Sequence, residues 1–313
     1  DAWTVGQRYL GSEDFQTQRR LESNFAPRPV DQEILQDQTK SFRVYDLSVG
    51  NPFASTRASF YHQSLGGYSA AKMQRYQDIM DQYLMQGDQR VLNMLNTRYI
   101  IVGGRDQQTP PTAQLNPGAM GNAWFVSRFV NVNTPNEEIG ALADLDPGSE
   151  AAVHAEYNDY IAGLSPQKNG TIVLDEYQPN HLTYTSNTAS DQFAVFSEIW
   201  YGPDKGWQAY LDGEPVDHIR VNYLLRGMKV PPGQHKIEFK FEPAVYSRGK
   251  TISFISSLLI LLGLVGVMVR SYPTWKEEML AASVPVKKQP TSPTKSTKAK
   301  KSVKPKPKSK KKK

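Results

Sequence analysis

Cysteine is absent from the 313-residue chain, which excludes disulfides, thiolate nucleophiles and cysteine-based zinc sites. Histidine is sparse. The five, at positions 62, 154, 181, 218 and 235, lie far apart with no pair at helical ligand spacing, so no metal site is expected. Glycine-rich phosphate loops are missing as well: Gly103-Gly104 follows a strand-like stretch, yet no GxGxxG pattern or P-loop lysine comes after it. There is no GxSxG nucleophile elbow. Asp144-Leu145-Asp146-Pro147-Gly148 starts like a calcium loop, but Pro147 and the lack of later ligands make it an ordinary turn. No acid/base, metal or nucleophile constellation emerges, and no catalytic residue is assigned.

The chain does have one long apolar run, Ile252 to Val269, free of charge, proline and amide. As a helix it spans roughly 27 Å, enough to cross a bilayer. Charge divides sharply at its end. Residues 270–313 hold 15 Lys and Arg against two Glu, whereas residues 1–269 hold 22 basic against 29 acidic side chains. The overall +6 is thus the average of an acidic body and a basic tail. By the positive-inside rule the tail is expected in the cytoplasm and residues 1–250 outside it. Asp1-Ala2-Trp3-Thr4 has no signal-peptide character, so export by an earlier membrane span is expected. The alternative topology, a tail-anchored cytosolic protein, would require the basic tail to cross outward.

Residues 1–165 read as a mixed α/β domain. Phe42–Leu47 and Tyr99–Val102 have strand character, the second expected to be buried because it is continuously apolar. Between them a helix is expected from the cap Ser69 to the stop Gly87, with Met73, Tyr76, Met80, Tyr83 and Leu84 on one stripe. A short helix follows over Gln89–Leu95. Trp124 to Val130 reads as one strand, and Thr134-Pro135-Asn136-Glu137 opens a helix with a cap, first-turn proline and N3 glutamate.

From 166 to 247 the pattern becomes strands separated by turns, as in an Ig-like antiparallel β-sandwich. The expected strands are Thr171–Leu174, Leu182–Ser186, Phe193–Ile199, Trp207–Leu211, Leu225–Val230 and His235–Phe241. Asp212-Gly213 is a two-residue hairpin turn, and Ile237, Phe239 and Phe241 alternate with charged neighbours. The fold class is therefore α+β, with a transmembrane helix at 252–269 and a cytoplasmic, disordered Lys-rich tail at 270–313. Tyr272 and Trp275 suit an interfacial anchor. The tail reads as a polybasic segment beside anionic lipid rather than a specific nucleic-acid binder.

Aromatics are the one residue class with ligand meaning, because exposed rings stack on the apolar faces of sugars. Packing in a core is the ordinary role of any one of them. The candidates for glycan contact are Tyr61, His62, Tyr68, Trp200, Tyr201 and Trp207. Trp200 and Tyr201 stand out because successive strand residues face opposite ways, so that one of the two faces water.

Several stretches together resemble the YfhO family of bacterial membrane proteins, in its Bacteroidetes form. They are the segment from Ala58 to Asp78 (ASFYHQSLGGYSAAKMQRYQD), Leu92 to Ile101, Gly121 to Val126, Val195 to Tyr201 and Gly206 to Gly213. The likeness continues through Phe239 into the apolar run and covers nearly all of residues 1–270; the lysine tail departs from it. The resemblance implies a polytopic protein of the bacterial inner membrane, similar to GT-C glycosyltransferases that transfer sugar from a lipid-linked donor to cell-envelope glycopolymers. It implies membrane lipid and envelope glycan as partners. In such enzymes the catalytic carboxylate lies in an early extracytoplasmic loop, so this chain would supply acceptor recognition or positioning. A non-catalytic envelope interaction module is the alternative.

Overall fold

The computed structural model describes residues 2–11, 15–104, 106 and 109–282. The chain divides into two units, residues 1–247 and 248–313. In order, the first half contributes α1 (Ala2–Tyr9), α2 (Gln18–Asn24), α3 (Pro29–Ile34), β1 (Arg43–Asp46), α4 (Arg57–Tyr61), β2 (Gln63–Ser64), α5 (Gln74–Gln82), α6 (Gln89–Met94), β3 (Thr97–Val102), β4 (Thr112–Leu115), β5 (Ala123–Val126), β6 (Arg128–Val132), α7 (Pro135–Ala141), β7 (Glu150–His154) and α8 (Asn158–Ile161). There follow β8 (Thr171–Gln178), β9 (His181–Thr188), β10 (Gln192–Ile199), β11 (Trp207–Leu211), β12 (Glu214–Val216), β13 (Ile219–Val221), β14 (Leu225–Val230), β15 (Gly233–Phe241) and α9 (Ala244–Ala282). The α+β class read from the sequence is the class of the folded protein.

Two antiparallel sheets carry the later strands. One runs β13-β14-β10-β5 and the other β12-β11-β15-β9-β8. They share a core in which Phe125, Ala194, Phe196, Met228 and Val230 of the first meet Leu182, Tyr184, Ile237 and Phe239 of the second. Asp212 and Gly213 both take positive φ, 51° and 91°, so the chain reverses in two residues and Leu211 pairs with Glu214.

The strand β10 is buried on both faces. Ala194 and Phe196 enter the core between the two sheets, whereas Phe193 and Val195 enter a second, larger core with Ile79, Leu84, Leu92, Leu95 and Val153. Alternate residues of a strand point to opposite faces, so one strand serves two cores. Gly227 opposite makes this possible: a Cβ there would lie 2.6 Å from the Phe193 ring. The strand β5, from the first half, pairs with β10. The sheet therefore crosses the boundary expected at residue 165, and residues 1–247 form one compact unit.

The remaining sheet, β2-β1-β3-β4, has β1 parallel to both β2 and β3. β3 lies there as a half-buried strand, with Tyr99 and Ile100 only partly covered, rather than the fully buried one its apolar run suggested. The run Trp124–Val130 is likewise divided. The backbone N–H groups of Ser127 and Arg128 both donate to Ser149 O, which ends β5 and sends β6 into a parallel pair with β7.

The helix expected from Ser69 starts later. Ser69 Oγ accepts from Ala71 N at 3.3 Å in a local turn, and α5 begins after Met73. Its expected stop holds: Gly87 has φ +70° after a short 3-10 turn over Leu84–Gln86. α6 is capped by Asp88, and α7 by Thr134, whose hydroxyl accepts from Glu137 N at 3.2 Å.

The helix α9, which starts four residues before the second unit, has 39 residues, about 58 Å at 1.5 Å per residue. Its most apolar 18-residue window has mean hydropathy 2.6 and none of it is buried. The helix thus outruns the apolar stretch 252–269 at both ends, taking in Tyr272, Pro273 and Trp275. Residues 270–282, placed with the tail in the sequence reading, continue the helix. The rest of the expected disordered tail, 283–313, lies outside the described residues.

Candidate functional site

The segment from Ser59 to Tyr76 builds a cleft in which Tyr68 takes part. Leu65 is buried and donates its N–H to Val44 O at 3.1 Å, which fixes the chain beside β1. Gly66 then lies directly on Pro52, where a Cβ would come 2.2 Å from the Pro52 carbonyl oxygen. Gly67, with φ +108°, donates to the same oxygen at 2.9 Å. This double-glycine turn leaves Tyr68 standing outward, 72 % exposed. The Tyr76 hydroxyl donates to Leu65 O at 2.6 Å and ties α5 to the turn; burial raises that phenol to about 12.

The resulting cleft, about 350 Å³, falls within the range of small-ligand sites. Arg43 and Lys72 bring positive charge to it, Ser59, Ser64 and Ser69 bring hydroxyls, and no acidic residue lines it among the described residues. Arg43 is already tied into the fold. Its Nη1 donates to Leu95 O and Ser197 Oγ at 2.8 and 2.9 Å, its Nη2 to Ser197 O at 2.8 Å, and Glu198 lies 3.8 Å away. Ile199, the residue before Trp200, closes the cleft from β10.

Tyr61 and His62 lie next to this cleft but differ in access. The Tyr61 ring lines a second opening of about 380 Å³ with Phe25 and Phe60, whose rings stack at 4.9 Å; Ser59 borders both openings. Its hydroxyl is buried without a hydrogen-bond partner among the described residues. His62 is underneath, its side chain only 3 % exposed, with Nε2 3.3 Å from Asp31 Oδ1. Burial pushes the imidazole below its ordinary value, against the pull of Asp31. Asp31 is itself subject to burial, which raises it, but hydrogen bonds from Arg28 outweigh that and hold it at about 2. Arg28 also reaches Asp46 at 2.8 Å. The ring expected to touch glycan belongs instead to a buried charge network.

The other three candidates form a separate group. Trp200 lies 5.1 Å from the His218 ring, and Trp207 and Tyr201 flank Phe241 at 5.5 and 6.4 Å. Tyr201, 41 % exposed, is the residue of the Trp200-Tyr201 pair that faces water; Trp200 and Trp207 are half-buried. His218 lies between Trp200 and Phe239 with neither ring nitrogen bonded among the described residues, and burial, then Arg226, pushes it down to about 3.

The structure thus gathers the six candidates into two groups and adds residues the sequence reading did not select. Lys72 and Arg43 are the most important. Lys72 stood within a quoted motif, five residues after a glycine pair, but nothing local says that Arg43 returns to meet it. Among the described residues no group of three or more His, Asp or Glu gathers as a metal site.

Two antiparallel sheets on a shared core, the attached α/β elements and a long unburied apolar helix define a membrane-associated α+β protein. The family model described as "Bacterial membrane protein YfhO" matches residues 153–253, about a third of the chain. That segment, from the end of β7 into α9, is similar to the YfhO family of bacterial membrane proteins, in agreement with the resemblance seen in the motifs. It contains Trp200, Tyr201 and Trp207 but not the Tyr61–Lys72 side of the cleft. No curated protein and no solved structure matches the chain.

Proposed function

We propose that residues 1–250 are the extracytoplasmic recognition part of a polytopic membrane protein of the GT-C glycosyltransferase type. In this reading they hold or position a cell-envelope glycopolymer for transfer from a lipid-linked sugar donor. The protein resides in the bacterial cytoplasmic membrane with its C-terminal tail inside, and the chemistry belongs to other parts of the parent protein. The observation that carries this reading is Tyr68, held outward by Gly66-Gly67 beside a cleft rich in hydroxyls and cations. An exposed phenol ring beside hydrogen-bonding groups suits a sugar, which has an apolar face and a polar edge.

The test is saccharide binding by the full chain in lipid nanodiscs, with Tyr68→Ala beside it. Binding that weakens several-fold in Tyr68→Ala while the melting temperature is unchanged supports the reading. The alternative, an interaction module for another envelope protein, draws support from the exposed Phe25–Phe60 stack and predicts no saccharide binding at all.

A further inference from the structure

We propose that the cleft beside Tyr68 takes a saccharide bearing an acidic group, a carboxylate or a phosphate, and that Lys72 pairs with that group. This rests on the reading of the cleft as a saccharide site. It adds the chemical class of the ligand.

Charge is the first support. The body of the chain, residues 1–269, has an excess of acidic side chains, yet among the described residues none of them lines this cleft. The neighbouring cation Arg43 spends its guanidinium on Leu95, Ser197 and Glu198. Lys72 has no carboxylate within ion-pair distance among the described residues; its ammonium lies 5.9 Å from the Phe53 ring.

Hydrogen-bond capacity is the second. Ser64 Oγ accepts from Gly66 N and Ser69 Oγ accepts from Ala71 N, so both retain a hydroxyl proton to donate. The Tyr76 hydroxyl spends its proton on Leu65 O. Ser59 spends its own on Thr56 O. The cleft therefore offers the Lys72 ammonium, which can only donate, and the Ser64 and Ser69 hydroxyls, which can each add a donor. An ionised acid is an acceptor only, and hydrogen bonds to a charged group are the stronger kind. A neutral sugar can satisfy the hydroxyls, since its own hydroxyls both donate and accept, but it offers no charge to pair with the ammonium.

The experiment measures binding of an oligogalacturonate, a hexose phosphate and a neutral malto-oligosaccharide to the full chain in nanodiscs of neutral lipid. It compares the native protein with Lys72→Gln and the charge-keeping Lys72→Arg. Expected is tighter binding of an acidic probe by on the order of tenfold, weakened by salt, lost in Lys72→Gln and largely restored in Lys72→Arg. Whether the galacturonate or the phosphate binds better tells which acid the cleft accepts. Equal binding of acidic and neutral probes, or an acidic preference that survives Lys72→Gln, overturns the inference and leaves the saccharide reading standing. Failure of all three probes to bind overturns both.

Discussion

The guanidinium carbon of Arg226 lies 4.2 Å from the centre of the Trp207 ring and 5.2 Å from that of Phe239, inside the core between the two antiparallel sheets. Its Nε and Nη2 both donate to Ile199 O, at 3.3 and 3.2 Å, and Nη1 has no partner among the described residues. A buried cation with so few acceptors depends on the aromatic faces around it. Trp207→Ala removes one of them, together with half-buried apolar area, and should cost about 2–3 kcal/mol. Denaturant unfolding of the full chain in detergent measures this, and an unchanged midpoint would show that the ring does not shield Arg226.

The His218 imidazole is neutral in the fold because burial, and secondarily Arg226, holds it at about 3, whereas in the unfolded chain it titrates near ~6.5. Between these values the unfolded state binds more protons. Stability is therefore complete above the unfolded value and declines as pH falls through the window towards 3. Melting temperature should fall between pH 7 and pH 4, as order-of-magnitude bounds on that window. His218→Phe should flatten the fall, since both ring nitrogens lack partners among the described residues and the ring is flanked by Trp200 and Phe239. A His218→Phe curve parallel to that of the native protein would count against this account.

Gly66 tests the turn that sets up the cleft. A Cβ at that position would meet the Pro52 carbonyl oxygen at 2.2 Å, and a backbone atom cannot move aside as a flexible side chain can. Gly66→Ala should destabilise by about 1–3 kcal/mol and weaken saccharide binding as well. Binding that survives a clear loss of stability would separate the turn from the site.

Glu138 is fully buried and accepts from Arg75 at 3.2 Å, Arg220 at 3.4 Å and Tyr223 N at 3.2 Å. It joins α7 to α5 and to the turn between β13 and β14. Glu138→Ala takes a carboxylate from Arg75 and from the buried Arg220, which keeps Glu156 at 2.8 Å, leaves Tyr223 N without its acceptor, and should cost about 3 kcal/mol. Glu138→Gln, which can still accept from Tyr223 N, should cost less. Equal losses in the two variants, read by thermal unfolding, would place the effect in side-chain volume rather than in the ion pairs.

Local patterns located many elements before any tertiary contact was known. β11 and β14 have the expected ends, and the caps of α7 and the stop at Gly87 work as their residue types suggest. Misplacements arose where local signals had competitors. Ser69 is a good cap by type, but its hydroxyl is taken by Ala71 two residues on, so the helix waits for Met73. Trp124 to Val130 is apolar enough for one strand, and only the Ser149 carbonyl, more than 20 residues away, breaks it in two. For the site, Tyr68 was recognisable as an aromatic after a glycine pair, whereas the burial of His62 depended on Asp31 and Arg28, which no spacing connects to it.

By itself, the sequence determined what depends on neighbours along the chain: the apolar run that becomes part of α9, the Asp212-Gly213 reversal, the alternation within β15 and the chemistry excluded by the lack of cysteine. Tertiary structure alone decided that β10 serves two cores, that Trp200 and Trp207 are half-buried while Tyr201 faces water, and that Lys72 and Arg43 meet in a cleft beside Tyr68. Those outcomes rest on contacts such as Arg43 with Ser197, 154 positions apart. Periodicity tells which residues of a strand share a face, because the backbone imposes it locally. What covers that face is settled only when distant segments pack together.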